Sequence, residues 1–283
     1  MTDRPDTGAG DTRLGHGELG RLRWELYRAC TVRADALFEL TDAVLCADGP
    51  VHSLVELTLV AEHRRGHGAM YDALACGALE PARLRRALTA LPLPRAADGR
   101  LVLAVDVSPW LRSDAPTSAD RLFCHVYGRG KGNAQMIPGW PYSFAAALEP
   151  GRSSWTALLD VVRLGPDDDA TAATAAQLRA LVERLTTAGQ WQPGDLPILI
   201  VTDAGYDITR LAHVLADLPV ELLGRIRSDR VLRGPRTLRP VRVTGRPPRH
   251  GPNFALAQPD TRWAWPTPPR PTPAATPRAV ATA

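Results

Sequence analysis

Asp106 and Asp203 each close a short, unbroken apolar run, LVLAVD in the first case and ILIVTD in the second. Apolar runs of this length bounded by turn residues predict β-strands. If the two are neighbouring central strands of one sheet, both carboxylates emerge at the same edge, where α/β proteins place their sites. Paired carboxylates are hard oxygen donors that favour Mg²⁺ or Mn²⁺. Ions held in this way activate a water or hydroxyl and stabilise the leaving oxygen of an in-line phosphodiester displacement. The competing reading is that each aspartate simply starts a turn. Spacing alone leaves both readings open.

Other groups are weighed in the same way. Arg129 and Lys131, within GRGKG, either contact DNA phosphates from a flexible loop or sit in a plain hairpin turn. The loop lacks the GxxxxGK[ST] spacing of a phosphate-binding P-loop, so no nucleotide cofactor is expected. Trp140, Tyr142 and Trp155 are candidates for base stacking, but aromatics among strands more often fill a core, and that reading is favoured. His63 and His67 are four apart, yet Gly66 between them breaks a helix, which assigns them to a surface turn. Asp207 reads as a helix N-cap. Ser108 has no GxSxG elbow around it. Cys30, Cys46, Cys76 and Cys124 lack CxxC spacing and read as reduced, mostly buried thiols.

The elements that would carry these groups fall into four segments. Residues 1–17 have no periodicity and read as a disordered tail. Residues 18–95 form a small all-helical region: helical spacing recurs through Leu19, Leu22 and Leu26, then Leu37 and Leu40, then Leu54 and Leu57, then Met70 and Leu74, and Pro81 opens a last helix. Residues 97–230 change pattern. Leu101 to Val105 predicts a strand buried on both faces, 121–128, 134–149 and 155–164 predict a meander, 167–189 a helix, 196–203 a second buried strand, 206–218 a helix and 220–226 a strand. That order implies a mixed sheet covered by helices. Residues 231–283 read as an Arg- and Pro-rich, largely disordered tail, because twelve of the 26 prolines lie between 235 and 283.

Charge is unevenly placed. The net charge is +4, but residues 221–283 carry twelve Arg against Glu221, Asp229 and Asp260. Lys131 is the only lysine, so almost every cation is a guanidinium suited to bidentate phosphate contact. Arg225, Arg227, Arg230 and Arg233 begin an arginine series that reads either as a phosphate-tracking segment or as a solvated arm of GC-rich coding bias. No apolar run is long enough to span a bilayer and the N-terminus lacks a secretory pattern, so a cytoplasmic, nucleoid-associated protein is expected.

The segments LVLAVDVSPW, RLFCHVYGRGKGNAQMIPGWPYS, SSWTALLDVVRLGP and ILIVTDAGYD resemble DDE transposases of bacterial insertion sequences. The resemblance spans about residues 18–255 and implies an α/β, ribonuclease H-like mixed sheet flanked by helices. It implies that Asp106 and Asp203 are the first two of three acidic ligands for Mg²⁺ or Mn²⁺, that the substrate is double-stranded DNA, and that the active form is a homo-oligomer. The family's third acidic residue, a glutamate on a later helix, has no candidate here, and the likeness fades after about Gln258. An incomplete copy is therefore expected, with a non-catalytic DNA-binding or interaction fragment as the alternative.

Overall fold

The structure is a computed structural model that describes residues 16–127, 134–151, 154–234, 250–256 and 279–282. It divides into two compact units, Met1–Pro94 with Glu149–Asp160 and Leu181–Gly194 in the first, and Arg95–Leu148, Val161–Ala180 and Asp195–Ala283 in the second.

The first unit holds α1 (His16–Ala29), β1 (Cys30–Val32), α2 (Ala34–Cys46), α3 (Leu54–Leu57), α4 (His67–Cys76), β2 (Ala78–Leu79) and α5 (Pro81–Thr89). Buried Ala43, Leu57 and Met70, with Leu40, Leu54 and Val60 packed on them, form its small core. A capping box starts α3: Ser53 accepts from the Glu56 N–H, and the Glu56 carboxylate reaches back to the N–H of His52. This helix stops after one turn because the Thr58 hydroxyl donates to Val55 O and competes with the ladder. Pro81 occupies the first turn of α5, where its missing N–H costs nothing. The region expected to be all-helical also contains an antiparallel ribbon that pairs Cys30 with Leu79 and Val32 with Ala78. Strands of two or three residues are too short to give an alternating pattern.

The second unit is organised on a seven-stranded sheet. Its strands are β3 (Val102–Leu111), β4 (Leu122–Tyr127), β5 (Ala134–Leu148), β6 (Thr156–Arg163), β7 (Ile198–Thr202), β8 (Val220–Arg225) and, after a small ribbon of β9 (Val231–Arg233) with β10 (Asn253–Ala255), β11 (Ala279–Thr282). The order is β11-β8-β7-β3-β5-β4, with β6 also on β5. β7 is parallel to β3 and β8, while β5 is antiparallel to β3 and β4. Helices α6 (Ala170–Thr187) and α7 (Ile208–Val214) accompany it, with β6 up to Asp160 and α6 from Leu181 belonging to the first unit. This is a mixed α/β sheet flanked by helices, as the resemblance implies.

Burial alternates along the strands. Leu103 and Val105, Ile198 and Ile200, Val220 and Leu222, and Ser143, Ala145 and Ala147 are buried on one face. On that face Ser143 bonds Gln177 of α6, and Gly224 lies against Ile208 of α7. Val102, Ala104, Leu199 and Val201 on the other face are only half-buried, which corrects the expectation of central strands covered on both sides. Three short strands also fall within 231–283, the segment expected to be largely disordered; β11 pairs parallel with β8 from Ala279 opposite Leu222. Among the thiols, Cys30 and Cys124 are buried but Cys46 and Cys76 are exposed.

Candidate active site

Parallel pairing of β3 with β7 matches Val102 with Leu199 and runs to Val105 opposite Thr202. The next position on each chain is Asp106 and Asp203. Both residues are exposed and directly follow the last paired residues of the parallel ladder. Contrary to the sequence expectation, Asp106 does not end its own strand. β3 continues to Leu111, held on one side by β5 through Leu111 opposite Gly139. Asp203 does follow its strand directly.

Each carboxylate is steadied by a local backbone donor, Asp106 Oδ1 by the Val107 N–H at 2.8 Å and Asp203 Oδ1 by the Gly205 N–H at 2.9 Å. Among the described residues neither carboxylate has an ion-pair partner, and Oδ2 of each accepts no hydrogen bond. Two hard anionic oxygen donors presented together suit a Mg²⁺- or Mn²⁺-sized ion whose other positions are filled by water and substrate oxygens. No group of three or more His, Cys, Asp and Glu side chains among the described residues is placed to hold a metal. Glu221 is the one glutamate after Asp203 in the chain. It sits opposite Leu199, at the far end of the β7–β8 ladder, and pairs with Arg100 at 2.5 Å.

The turn after Asp203 carries a residue that sequence reasoning passes over. Tyr206 tucks a buried hydroxyl beside Ser143 and Thr174. Burial pushes its phenol up to about 12, and the charges of Asp106 and Asp203 push the same way. The phenol therefore stays protonated beneath the carboxylate pair. Only its place in DAGYD, three residues past the second aspartate, marks it in the sequence. Asp207 accepts from the Arg210 N–H and so caps α7, as expected. The Thr209 hydroxyl and that N–H hold its carboxyl below the usual range.

An open pocket of about 430 Å³ lies beside Asp203, walled by 204–208 and by Arg225, Ile226, Arg227, Asp229 and Arg230. Arg230 pairs with Asp207 at 3.8 Å. Arg225 and Arg227 are exposed and make no ion pair among the described residues. Arg233 is exposed on β9, away from this wall in sequence. Arg129 and Lys131 lie outside the described residues. His67 opens α4 and Gly66 is its N-cap, so the two histidines do not share a helix. Of the aromatics expected in the core, Trp140 and Tyr142 are half-buried and Trp155 is exposed.

No helix among the described residues is long and apolar enough to cross a membrane. No curated protein sequence matches the chain. Among solved structures, it is similar to the transposase in a Drosophila P element transposase strand transfer complex, at 15% identity and a TM-score of 0.35, covering 67% of this chain and 41% of that one. The chain thus spans well under half of that transposase. A family model described as DDE superfamily endonuclease matches residues 25–281, past Gln258, near which the resemblance is expected to fade. With that match running over both aspartates and nearly the whole sequence, the chain belongs to the DDE superfamily endonuclease family.

Proposed function

We propose that this protein is the transposase of a bacterial insertion sequence, cutting DNA strands and joining them to a target. The observation that carries this reading is the β3–β7 register, in which Val105 lies opposite Thr202 and Asp106 and Asp203 are the next residues of each chain segment. In this reading the two carboxylates hold Mg²⁺ or Mn²⁺. Two such ions, when bound, supply Lewis-acid activation of the attacking water or 3′ hydroxyl and charge stabilisation at the phosphodiester. The chain's own part is to present anionic oxygens on a rigid sheet edge, with the Val107 and Gly205 amides fixing one oxygen of each. Arg225, Arg227 and Arg230 beside Asp203 neutralise the phosphates of duplex DNA on either side of the cut, with Arg233, Arg129 and Lys131 extending the contact. A homo-oligomer brings two element ends together.

The test is nicking of supercoiled plasmid in Mg²⁺ or Mn²⁺ by wild type, Asp106→Asn, Asp203→Asn and the remote Asp98→Asn. Both site variants should lose at least about a hundredfold in rate, since such variants remove charge stabilisation needed in the transition state, while Asp98→Asn keeps it. Equal nicking by all four proteins overturns the assignment. A second reading, a DNA-binding chain without catalysis, is favoured by one observation: no third acidic group accompanies the pair among the described residues. It predicts DNA binding, metal-induced stabilisation lost in both site variants, and no nicking by any of the four.

A further inference from the structure

The ribbon that runs away from Asp106 has an unusual division of side chains. In an antiparallel pair, residues directly opposite share a face, as do positions two apart on one strand. Asp106 lies opposite Phe144, Ser108 opposite Tyr142 and Trp110 opposite Trp140, and β5 continues to Pro138 opposite Phe123 of β4. One face therefore carries, in sequence from the carboxylate, a row of aromatic rings. Ring centroids are 6.4 Å apart for Tyr142 and Phe144 and 5.4 Å apart for Trp110 and Trp140. The opposite face of the same strands bears buried Ser143, Ala145 and Cys124. Trp110 and Phe123 on this face are exposed and Trp140, Tyr142 and Phe144 half-buried, while small groups fill the buried face. Trp110 is 54% exposed and Phe123 70%.

We propose that this face is a stacking track for the unpaired bases of a DNA strand lying against Asp106. The inference rests on the strand-cutting reading above and adds the form of DNA and the residues that grip it. Three features select nucleobases as the occupant. The row is aromatic and begins at the cross-strand neighbour of a candidate active-site carboxylate. The Arg112 guanidinium, held by Asp114 at 3.0 Å, lies 5.7 Å from the centre of the Trp110 ring, a cation beside the row of the kind base-stacking platforms use. Trp140 is fixed by its indole N–H donating to Ala119 O at 3.1 Å, so the platform is set before a base arrives. The spacing selects a single strand. Positions two apart on a β-strand are about 6.8 Å apart, roughly twice the 3.4 Å rise of bases in a duplex strand. Successive rings can each take a base only when that strand is unstacked.

The test uses the full chain with chelator present, so that binding is read without cutting. Probes are a fluorescent oligo(dT) strand, the same strand with abasic positions, and a duplex of matched length. Trp110→Ala and Phe123→Ala should each weaken oligo(dT) binding about tenfold, with Trp110→Phe retaining most of it. The abasic strand should bind wild type as weakly as oligo(dT) binds the alanine variants, and duplex binding should not change. Unchanged thermal midpoints are expected, because both side chains face solvent. Equal binding of oligo(dT) and the abasic strand overturns the proposal. So does sedimentation that shows a self-associated wild type dispersed by Trp110→Ala, which would make the face a contact between two copies of the chain. Asp106→Asn separates this proposal from the nicking result: it should keep the aromatic contribution to oligo(dT) binding whether or not it nicks.

Discussion

Asp203 and Asp207 are four residues apart in one turn, and their surroundings divide the work between them. Asp207 spends its carboxylate on the Arg210 N–H, the Thr209 hydroxyl and the Arg230 guanidinium, so its role is to start α7. Replacing it with Ala should cost about 1 kcal/mol of stability, whereas Asn, an equally good N-cap, should restore most of that. Asp203→Asn should do the opposite, leaving the denaturation midpoint in place while removing nicking. A midpoint drop for Asp203→Asn as large as that for Asp207→Ala would show that Asp203 is a turn residue. Tyr206, between them, gives a pH signature. Its phenol is raised from 10.0 to about 12 in the folded chain, so between those values the folded state holds a proton that the unfolded state releases. The contribution is fully present below pH 10 and is lost as pH rises to about 12. The stability difference between wild type and Tyr206→Phe should therefore fall across that window and stay flat at lower pH. A difference that does not change between those limits would put the hydroxyl in water.

Helix α7 follows the Asp203 turn, and its seat on β8 decides where that turn lies. A Cβ built on Gly224 would meet Ile208 Cγ1 at 2.7 Å and Cδ1 at 2.8 Å. Gly224→Ala should cost about 1–3 kcal/mol through overpacking, and Ile208→Val beside it should recover part of the loss, giving a coupling energy in a double-mutant cycle. Strict additivity of the two would mean that they do not touch. In the other unit, Asp160 is 3% exposed and is held by Arg85 of α5 at 2.6 Å and Arg184 of α6 at 2.5 Å. Asp160→Ala leaves two part-buried guanidiniums facing each other and should cost about 3 kcal/mol, read as a shifted denaturant midpoint with unchanged slope. Such pairings explain what the sequence conceals. The apolar runs leading to Asp106 and Asp203 are visible in the sequence, and with them the succession of strands and helices along residues 97–230. The length of β3 is not, because Pro109 argues against a central strand. It is tolerated because β7 stops pairing at Val105, and because Pro109 lies opposite Pro141, whose carbonyl turns outward to the Leu164 N–H. The Glu221–Arg100 pair and the Tyr206 hydroxyl pocket join residues far apart in the chain, and no local period encodes them.

The charge of the chain is a difference between two halves rather than a uniform property. Residues 221–283 hold twelve Arg and three acids, +9, and the net +4 leaves −5 for residues 1–220. The Asp106–Asp203 site stands where this basic segment begins, since β8 ends at Arg225 and Arg227 and Arg230 follow on the pocket wall. In the proposed reading, repulsion between the carboxylate pair and a phosphate backbone is offset by Arg225 and Arg227, which make no ion pair among the described residues. Counterion release makes this measurable: the logarithm of the duplex binding constant falls with the logarithm of salt concentration at a slope of about −0.9 per phosphate neutralised. Arg225→Gln with Arg227→Gln should therefore reduce the slope by about 2, weaken binding most at low salt, and leave the two proteins nearly alike at high salt. Arg179→Gln, whose guanidinium is already committed to Asp217, should leave the slope unchanged. A slope in the double variant equal to that of wild type would place the phosphate contacts elsewhere on the chain, and the pocket beside Asp203 would then have no part in holding DNA.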